Sequence, residues 1–154
     1  MNESNQRQAP LQLDTVRDVS ARERNKDSLQ DLPARFWRDA QEYVDVLSER
    51  IDDATDEGTG RPAQSDEVVR LREERESALE LLESLADRRK AKVVKRASLA
   101  AKDLAVETDA MTGSEVDLFE TVRDEFTATS LAPTVASDHE AAPRSGGQQT
   151  EGVD

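Results

Sequence analysis

Residues 65–106 read SDEVVRLREERESALELLESLADRRKAKVVKRASLAAKDLAV and contain neither proline nor glycine. Ser65 is a favourable N-cap, and Asp66 and Glu67 lie in the first turn, where the helix dipole favours acidic side chains. Apolar residues then recur at helical spacing; they are Val68, Leu71, Ala78, Leu82, Ala86, Val93, Ala97, Ala100 and Leu104. The pattern predicts one helix of roughly 60 Å. Because a small domain is narrower than that, we expect the helix to be bent near residues 86–89, paired with a partner, or both.

Charge divides along this helix. Residues 66–86 carry seven acidic and three basic side chains, whereas residues 87–103 carry seven basic and two acidic ones. At about 100° per residue, four of the cations share one stripe, namely Arg88, Lys92, Lys95 and Lys102. This basic segment indicates either contact with nucleic acid or an acidic partner, or cations that offset the helix dipole and pair with the protein's own acids. The second interpretation is favoured, because no aromatic residues are interleaved for base stacking.

A second, weaker apolar face accompanies the basic stripe. Leu81, Leu85 and Leu99 lie near that stripe rather than on the main apolar face. Two apolar faces predict a helix that packs on more than one side. Lys90 falls within the arc expected to face the core, where it would have to extend to water or find an acid.

The composition is strongly acidic. The 154 residues carry a net charge of −13, with 36% charged and 3% aromatic residues. Only five of the 21 basic residues are lysine. At about 1 M salt the Debye length is about 3 Å, so self-repulsion is largely screened. We therefore interpret the composition as adaptation to concentrated salt, in preference to an acidic, partly disordered protein. The polar N-terminus and the absence of a long apolar run predict a cytoplasmic protein without a membrane span.

Four helices are predicted, near residues 13–24, 33–51, 66–105 and 113–127, in an all-α bundle of four to five helices with one long central helix. Asp14 is the expected cap of the first helix, and Pro33 begins the second. The second helix has a clean apolar face that includes Phe36 and Tyr43, both expected in the core, whereas Trp37 is offset and free to face a partner. Thr112 and Glu115 form a capping box at the start of the last helix.

The remaining segments are predicted to lack regular structure. Residues 1–12 are expected to be frayed. Residues 52–64 read as an acidic loop whose spacing does not fit an EF-hand. Residues 13–127 form the helical domain, and residues 128–154 form a disordered tail or linker. Deletion of residues 132–154 is therefore expected to leave the melting temperature unchanged.

No catalytic arrangement is apparent in the sequence. Cysteine is absent, which excludes disulfides, thiolate metal sites and cysteine nucleophiles. The single histidine, His139, lies in the predicted tail, and no glycine-rich phosphate loop is present. We expect a protein that is not an enzyme and that needs neither a metal nor a cofactor.

The order of these signals resembles the helical domain of GINS, the replication-fork complex of archaea and eukaryotes. The resemblance is to the archaeal subunit type in which the helical domain comes first, in its halophilic style. It rests on the segment 28–33 (SLQDLP), the pairs Phe36-Trp37 and Tyr43-Val44, the signature 88–95 (RRKAKVVK) and the segment 111–115 (MTGSE). It departs from the family at Lys90 and Ala91, where an aliphatic and a small residue are usual. It also departs in carrying no β domain after the helical one.

The resemblance implies a non-catalytic scaffold that is associated with the nucleoid. Such subunits pack into a homo- or hetero-tetramer with other GINS subunits and link the MCM helicase to a RecJ-like protein. The implied interface candidates are Phe36, Trp37, Tyr43, Arg88, Arg89, Lys92, Val93, Lys95 and Arg96.

Two alternatives follow from the residues themselves. One is a self-associating coiled-coil homodimer whose seam would run through positions 68, 71, 75, 78, 82, 85 and 89, two of which are arginine. The other is a helical protein that binds nucleic acid, in weak contact, through the basic segment 88–102.

Overall fold

The chain is described here from a computed structural model, which places residues 11–56 and 65–133. These residues form four α-helices and no β-strand. The helices are α1 (Leu13–Asn25), α2 (Phe36–Asp56), α3 (Asp66–Ala100) and α4 (Gly113–Ala128). The all-α prediction with one long central helix is confirmed. The expectations for residues 1–10, for the loop residues 57–64 and for the tail from residue 134 onward lie outside the described residues.

The starts of α1 and α2 differ from those predicted. Gln12 precedes α1 in an extended conformation and makes no side-chain cap, so Asp14 lies inside the first turn instead of capping it. Helix α2 begins at Phe36 rather than Pro33, because Phe36 donates its backbone N–H to the Pro33 carbonyl in a turn. Arg35 in that turn has a φ of 63°, which a continuing helix does not allow. Helix α2 also runs five residues further than predicted, to Asp56.

Helix α3 is one uninterrupted helix through residues 86–89, where the sequence analysis predicts a bend. Its start is as predicted, since the Ser65 side chain accepts a hydrogen bond from Val68 N–H. It ends at Ala100 rather than near residue 105. The Asp103 N–H donates to the Ala100 carbonyl and the Leu104 N–H to the Leu99 carbonyl, with Asp103 at a φ of 61°. This is a Schellman C-cap in which aspartate occupies the position that glycine usually takes.

The predicted capping box at the start of α4 is confirmed. The Thr112 hydroxyl accepts from the Glu115 N–H, and the Glu115 carboxylate accepts from the Thr112 N–H at 2.9 Å. The box fixes the first turn of α4. It also holds the Glu115 carboxylate at the helix start, where it faces α3.

All extensive helix–helix packing involves α3, which contacts α1, α2 and α4. Three apolar clusters lie along it. The first joins it to α1 and α2 through residues such as Val16, Phe36 and Leu85. The second joins it to α2 through Leu47, Ile51 and Leu71, and the third joins it to α4 through Val93, Ala97 and Phe119, with Leu29 also present. Helix α3 thus packs against three other helices.

Three residues of α3 and its C-cap lie differently from the prediction. Leu85, placed near the basic stripe, is fully buried. Leu104, placed on the core face, is 52% exposed, because the helix ends before it. Lys90, expected in the core-facing arc, is exposed and needs no buried acid.

Helices α3 and α4 run in the same direction. Glu115 at the start of α4 contacts Arg89, and Phe119, one turn later, packs with Val93 and Ala97. The connection between residues 101 and 112 therefore returns along α3 before α4 begins.

None of the helices in residues 11–56 and 65–133 is long and apolar enough to cross a membrane.

Candidate functional site

A buried arginine lies where α1, α3 and α4 meet. The Arg89 side chain has no exposed surface. Its Nε and Nη2 donate to the two Glu115 carboxylate oxygens, each at 2.8 Å. Its Nη1 donates to Glu23 Oε1 and to the Gln30 carbonyl, both at 2.6 Å, and its Nη2 also donates to the Ala110 carbonyl at 2.9 Å. All five N–H donors of the guanidinium are therefore used.

Lys92 extends the same network to the C-terminus of α1. Its ammonium donates to Glu23 Oε2 at 2.5 Å and to the Glu23 carbonyl at 2.6 Å. It also contacts the carbonyls of Lys26 and Ser28 at 2.9 and 3.1 Å. The last carbonyls of a helix have no partner within it, and a cation there also complements the helix dipole. Lys92 thus caps α1 from α3.

The network is electrically balanced and saturated. Two cations, Arg89 and Lys92, face two carboxylates, Glu23 and Glu115. The Gln30 N–H also donates to Glu23. Among the described residues, no buried side-chain nitrogen or oxygen lacks a hydrogen-bond partner. Buried charges are tolerated only when they are paired and hydrogen-bonded in this way.

The pKa shifts agree with this pairing. Burial disfavours the charged form of both Arg89 and Glu115. The bidentate contact between them outweighs that penalty, with help from Glu23 for the arginine and from Thr112 for the carboxylate. The pKa of Arg89 is therefore raised and that of Glu115 lowered. Both groups are held in their charged forms.

This arrangement is suited to holding segments together rather than to chemistry. Each carboxylate oxygen already accepts a hydrogen bond from the network, so none is directed at an open cleft. In residues 11–56 and 65–133, no group of histidine or acidic side chains could hold a metal ion. The network joins five segments, namely α1, the α1–α2 connection, α3, the α3–α4 connection and α4.

The structure places three of the predicted interface residues inside the chain. Phe36 is 2% exposed, and Arg89 and Val93 are 0% exposed. Phe36 and Val93 belong to apolar clusters, and Arg89 is enclosed by its acids. The interface assignment of these three is corrected, because a side chain enclosed by its own chain offers no surface to a partner. The core expectation for Phe36 is confirmed.

Tyr43 and Trp37 are half-buried. Tyr43 packs against the cluster of Leu47, Ile51 and Leu71, and its hydroxyl donates a hydrogen bond to the Glu74 carboxylate on α3. Burial and the Glu74 carboxylate both raise the pKa of the Tyr43 phenol. Trp37 packs edge-on against Phe36, with ring centroids 5.1 Å apart. It lines a cavity of about 400 Å³ together with Leu32 and Met111.

The predicted basic stripe divides in two. Lys92 turns inward, whereas Arg88, Lys95 and Lys102 are exposed. Arg96 is half-buried, and its guanidinium donates to the Lys92 carbonyl of its own helix at 3.4 Å. Part of the segment thus pairs with the protein's own acids, as favoured from the sequence, and part remains on the surface.

The seam of the coiled-coil alternative is occupied within the chain. Val68, Ala78 and Leu85 on that seam are 0% exposed, and Arg75 donates to the Ser48 hydroxyl of α2 at 3.3 Å. Its other arginine is Arg89. A second copy of the chain therefore has no access to this face while α1 and α2 are packed on it.

The sequence analysis did not identify Glu23 as a functional residue. It identified Glu115 as part of a helix cap but not as a partner of Arg89. A signal for Glu23 was present, because it follows Val16 by seven residues and Val19 by four and so falls on the apolar face of α1. An acid on one apolar face and an arginine on another together predict a buried ion pair.

Comparison with known proteins identifies no relative. No family model, no curated protein and no solved structure matches this chain.

Proposed function

We propose that this protein is a non-catalytic scaffold subunit of a GINS-like DNA replication complex. Through its helical domain it would join other GINS subunits and link the MCM helicase with a RecJ-like protein. The proposal includes a high-salt cytoplasm of a halophilic archaeon as its setting.

One observation supports this proposal above the others. Three of the five stretches that carry the sequence resemblance, namely residues 28–33, 88–95 and 111–115, meet in one buried network. Arg89 contacts the first segment at Gln30 and the third at Glu115, and Lys92 contacts the first at Ser28. Segments that are distant in the chain and shared by a family are expected to act together when they specify one fold.

The network also supports our proposal that the protein is not a catalyst. Its charges are neutralised and directed at one another, whereas catalytic groups are held ready for a substrate. A helical protein whose buried polar groups hold its helices together is suited to binding partner proteins through its outer surface. In this proposal the surface candidates are Trp37, Arg88 and Lys95, and the buried residues maintain the shape that presents them.

Binding to purified replication proteins tests the proposal. The full chain is mixed in concentrated KCl with the MCM helicase or the RecJ-like protein of a halophilic archaeon and analysed by size exclusion with light scattering. We expect co-elution with both, weakened by Trp37→Ala. Val46→Ala, which trims an exposed apolar side chain on the same helix, serves as the matched control. Separate elution from both partners would refute the proposal.

A further inference from the structure

The side of α3 that faces away from α2 carries two short rows of opposite charge. The acidic row consists of Glu73, Glu80 and Asp87. The basic row consists of Arg88 and Lys95 on α3 and of Lys102, two residues beyond the end of the helix at Ala100. Members of each row are seven residues apart, which is two helical turns and about 10.5 Å. The two rows lie about 60° apart around the helix at 100° per residue, so both border one face.

This face is unoccupied by the rest of the described chain. All six charged residues are exposed, and no ion pair or side-chain hydrogen bond joins any of them to another residue in the described ranges. Between the rows, at the same seven-residue spacing, lie Ser77, Ser84, Ala91 and Ser98. Because these side chains are small, another helix can approach the backbone of α3 closely along this line.

The rows are complementary under one symmetry operation. Glu73 and Lys102 are equally far from the midpoint between residues 87 and 88, and so are Glu80 and Lys95. A second α3 that runs antiparallel about a twofold axis through this midpoint brings each acid level with a base of its partner. Asp87 and Arg88 then flank the axis. Such an interface uses the same patch on both copies, as twofold dimers do.

We propose that a second copy of this chain docks antiparallel on this face of α3. A parallel arrangement would place Glu80 level with Glu80 and Lys95 level with Lys95, so its charges would not be matched. A nucleic acid fits less well, because the acidic row (residues 73–87) directly precedes the basic row (residues 88–102) on the same face and repels phosphates that extend past the basic half. This inference does not depend on membership of a replication complex.

Charge exchange at one level of the interface tests the pairing. Glu80→Lys and Lys95→Glu are made separately, and each is expected to weaken self-association about tenfold or more, because both copies of the pair become like-charged. Mixing the two variants restores both pairs and is expected to yield a heterodimer. The double variant Glu80→Lys/Lys95→Glu is expected to form a homodimer again.

Sedimentation equilibrium in about 1 M KCl is the assay, since a Debye length of about 3 Å screens the net repulsion between two acidic chains but not side chains in contact. Glu83→Lys and Lys90→Glu are matched controls, because they make the same charge changes at exposed positions outside the face. They are expected to associate like the wild type. A monomeric wild type, equal effects of the controls, or variants that fail to combine on mixing would overturn the proposal.

Cross-linking tests the orientation. The chain has no cysteine, so Ser84→Cys and Ala91→Cys each introduce a single thiol. In the antiparallel dimer residue 84 is level with residue 91 of the partner, and a disulfide needs Cα atoms within about 7 Å. The mixture is therefore expected to cross-link under mild oxidation, and Ser84→Cys alone is not. Cross-linking of Ser84→Cys alone, at the same rate as the mixture, would contradict the orientation. A dimer that binds no replication protein would refute the proposed function and leave this inference standing.

Discussion

Substitution of Arg89 by methionine is expected to destabilise the fold more than any change on the surface of α3. Methionine fills similar space but supplies none of the five N–H donors that reach Glu23, Gln30, Ala110 and Glu115. Removing one partner of a buried ion pair typically costs about 3–5 kcal/mol, because the other charge stays buried without compensation.

The lower part of that range applies here. Glu23 keeps its contact with Lys92, and the Glu115 side chain is 11% exposed, so water reaches it. The carbonyls of Gln30 and Ala110 lose a donor, at about 1–3 kcal/mol for each group left buried and unsatisfied. We therefore expect the free energy of unfolding to fall by about 5 kcal/mol or more, which is comparable with the whole stability of a marginal domain in the ordinary range of roughly 5–15 kcal/mol.

Urea denaturation followed by circular dichroism at constant salt and neutral pH measures this loss. Arg88→Met is the matched control, since Arg88 is the exposed neighbour of Arg89 on the same helix, and it is expected to change stability by less than about 0.5 kcal/mol. If Arg89→Met does not fold, Arg89→Lys keeps a charge without the planar fork and is expected to show a smaller loss. Equal stability of Arg89→Met and Arg88→Met would refute the structural role of Arg89.

Three further predictions concern neighbouring contacts. Because the pKa of Glu115 is lowered in the fold, its contribution is present above its ordinary value of about 4.3 and is lost as the pH falls through the lowered value. Glu115→Gln should therefore be less stable than wild type at pH 7, and the two should converge in acid. Thr112→Ala removes one side of the capping box and should cost about 1 kcal/mol. Because the pKa of Tyr43 is raised, wild type should lose stability above pH ~10 more steeply than Tyr43→Phe.

Each of these three has a clear contrary result. Parallel acid denaturation curves for wild type and Glu115→Gln would show that the carboxylate is not held charged in the fold. Ser114→Ala, at an exposed position next to the cap, should be neutral, and a loss equal to that of Thr112→Ala would count against the capping box. Identical alkaline behaviour of wild type and Tyr43→Phe would mean that the bond to Glu74 is not stabilising.

Much of the fold follows from local sequence signals. The caps at Ser65 and Thr112 mark the starts of α3 and α4, since side-chain caps depend on residues within one turn. The predicted end of α3 is too late, because glycine is the usual sequence signal of a Schellman cap. Here Asp103 adopts the left-handed conformation in its place. The late start of α2 has a similar cause at Arg35, a residue whose type gives no sign of a positive φ.

The network could be predicted only in part. The sequence places cations at residues 88–96 and an acid at Glu23 but does not say which of them meet, because the contacts of Arg89 join residues up to 66 apart. Of two adjacent arginines, Arg88 is exposed and Arg89 is buried, because they lie about 100° apart around α3. Which of these two directions faces the interior is decided only by the positions of α1 and α4.

Hydrogen exchange of the Arg89 side chain tests the network most directly. The Nε–H of Arg89 donates to Glu115 at 2.8 Å inside the protein, whereas that of Arg88 lies on an exposed side chain. In ¹⁵N-labelled full-length protein, NMR should show the Arg89 Nε–H exchanging as slowly as backbone amides in the centre of α3. The Arg88 Nε–H should exchange at the rate of a free arginine. Equally fast exchange at both sites would contradict the conclusion that Arg89 holds α1 and α4 against α3.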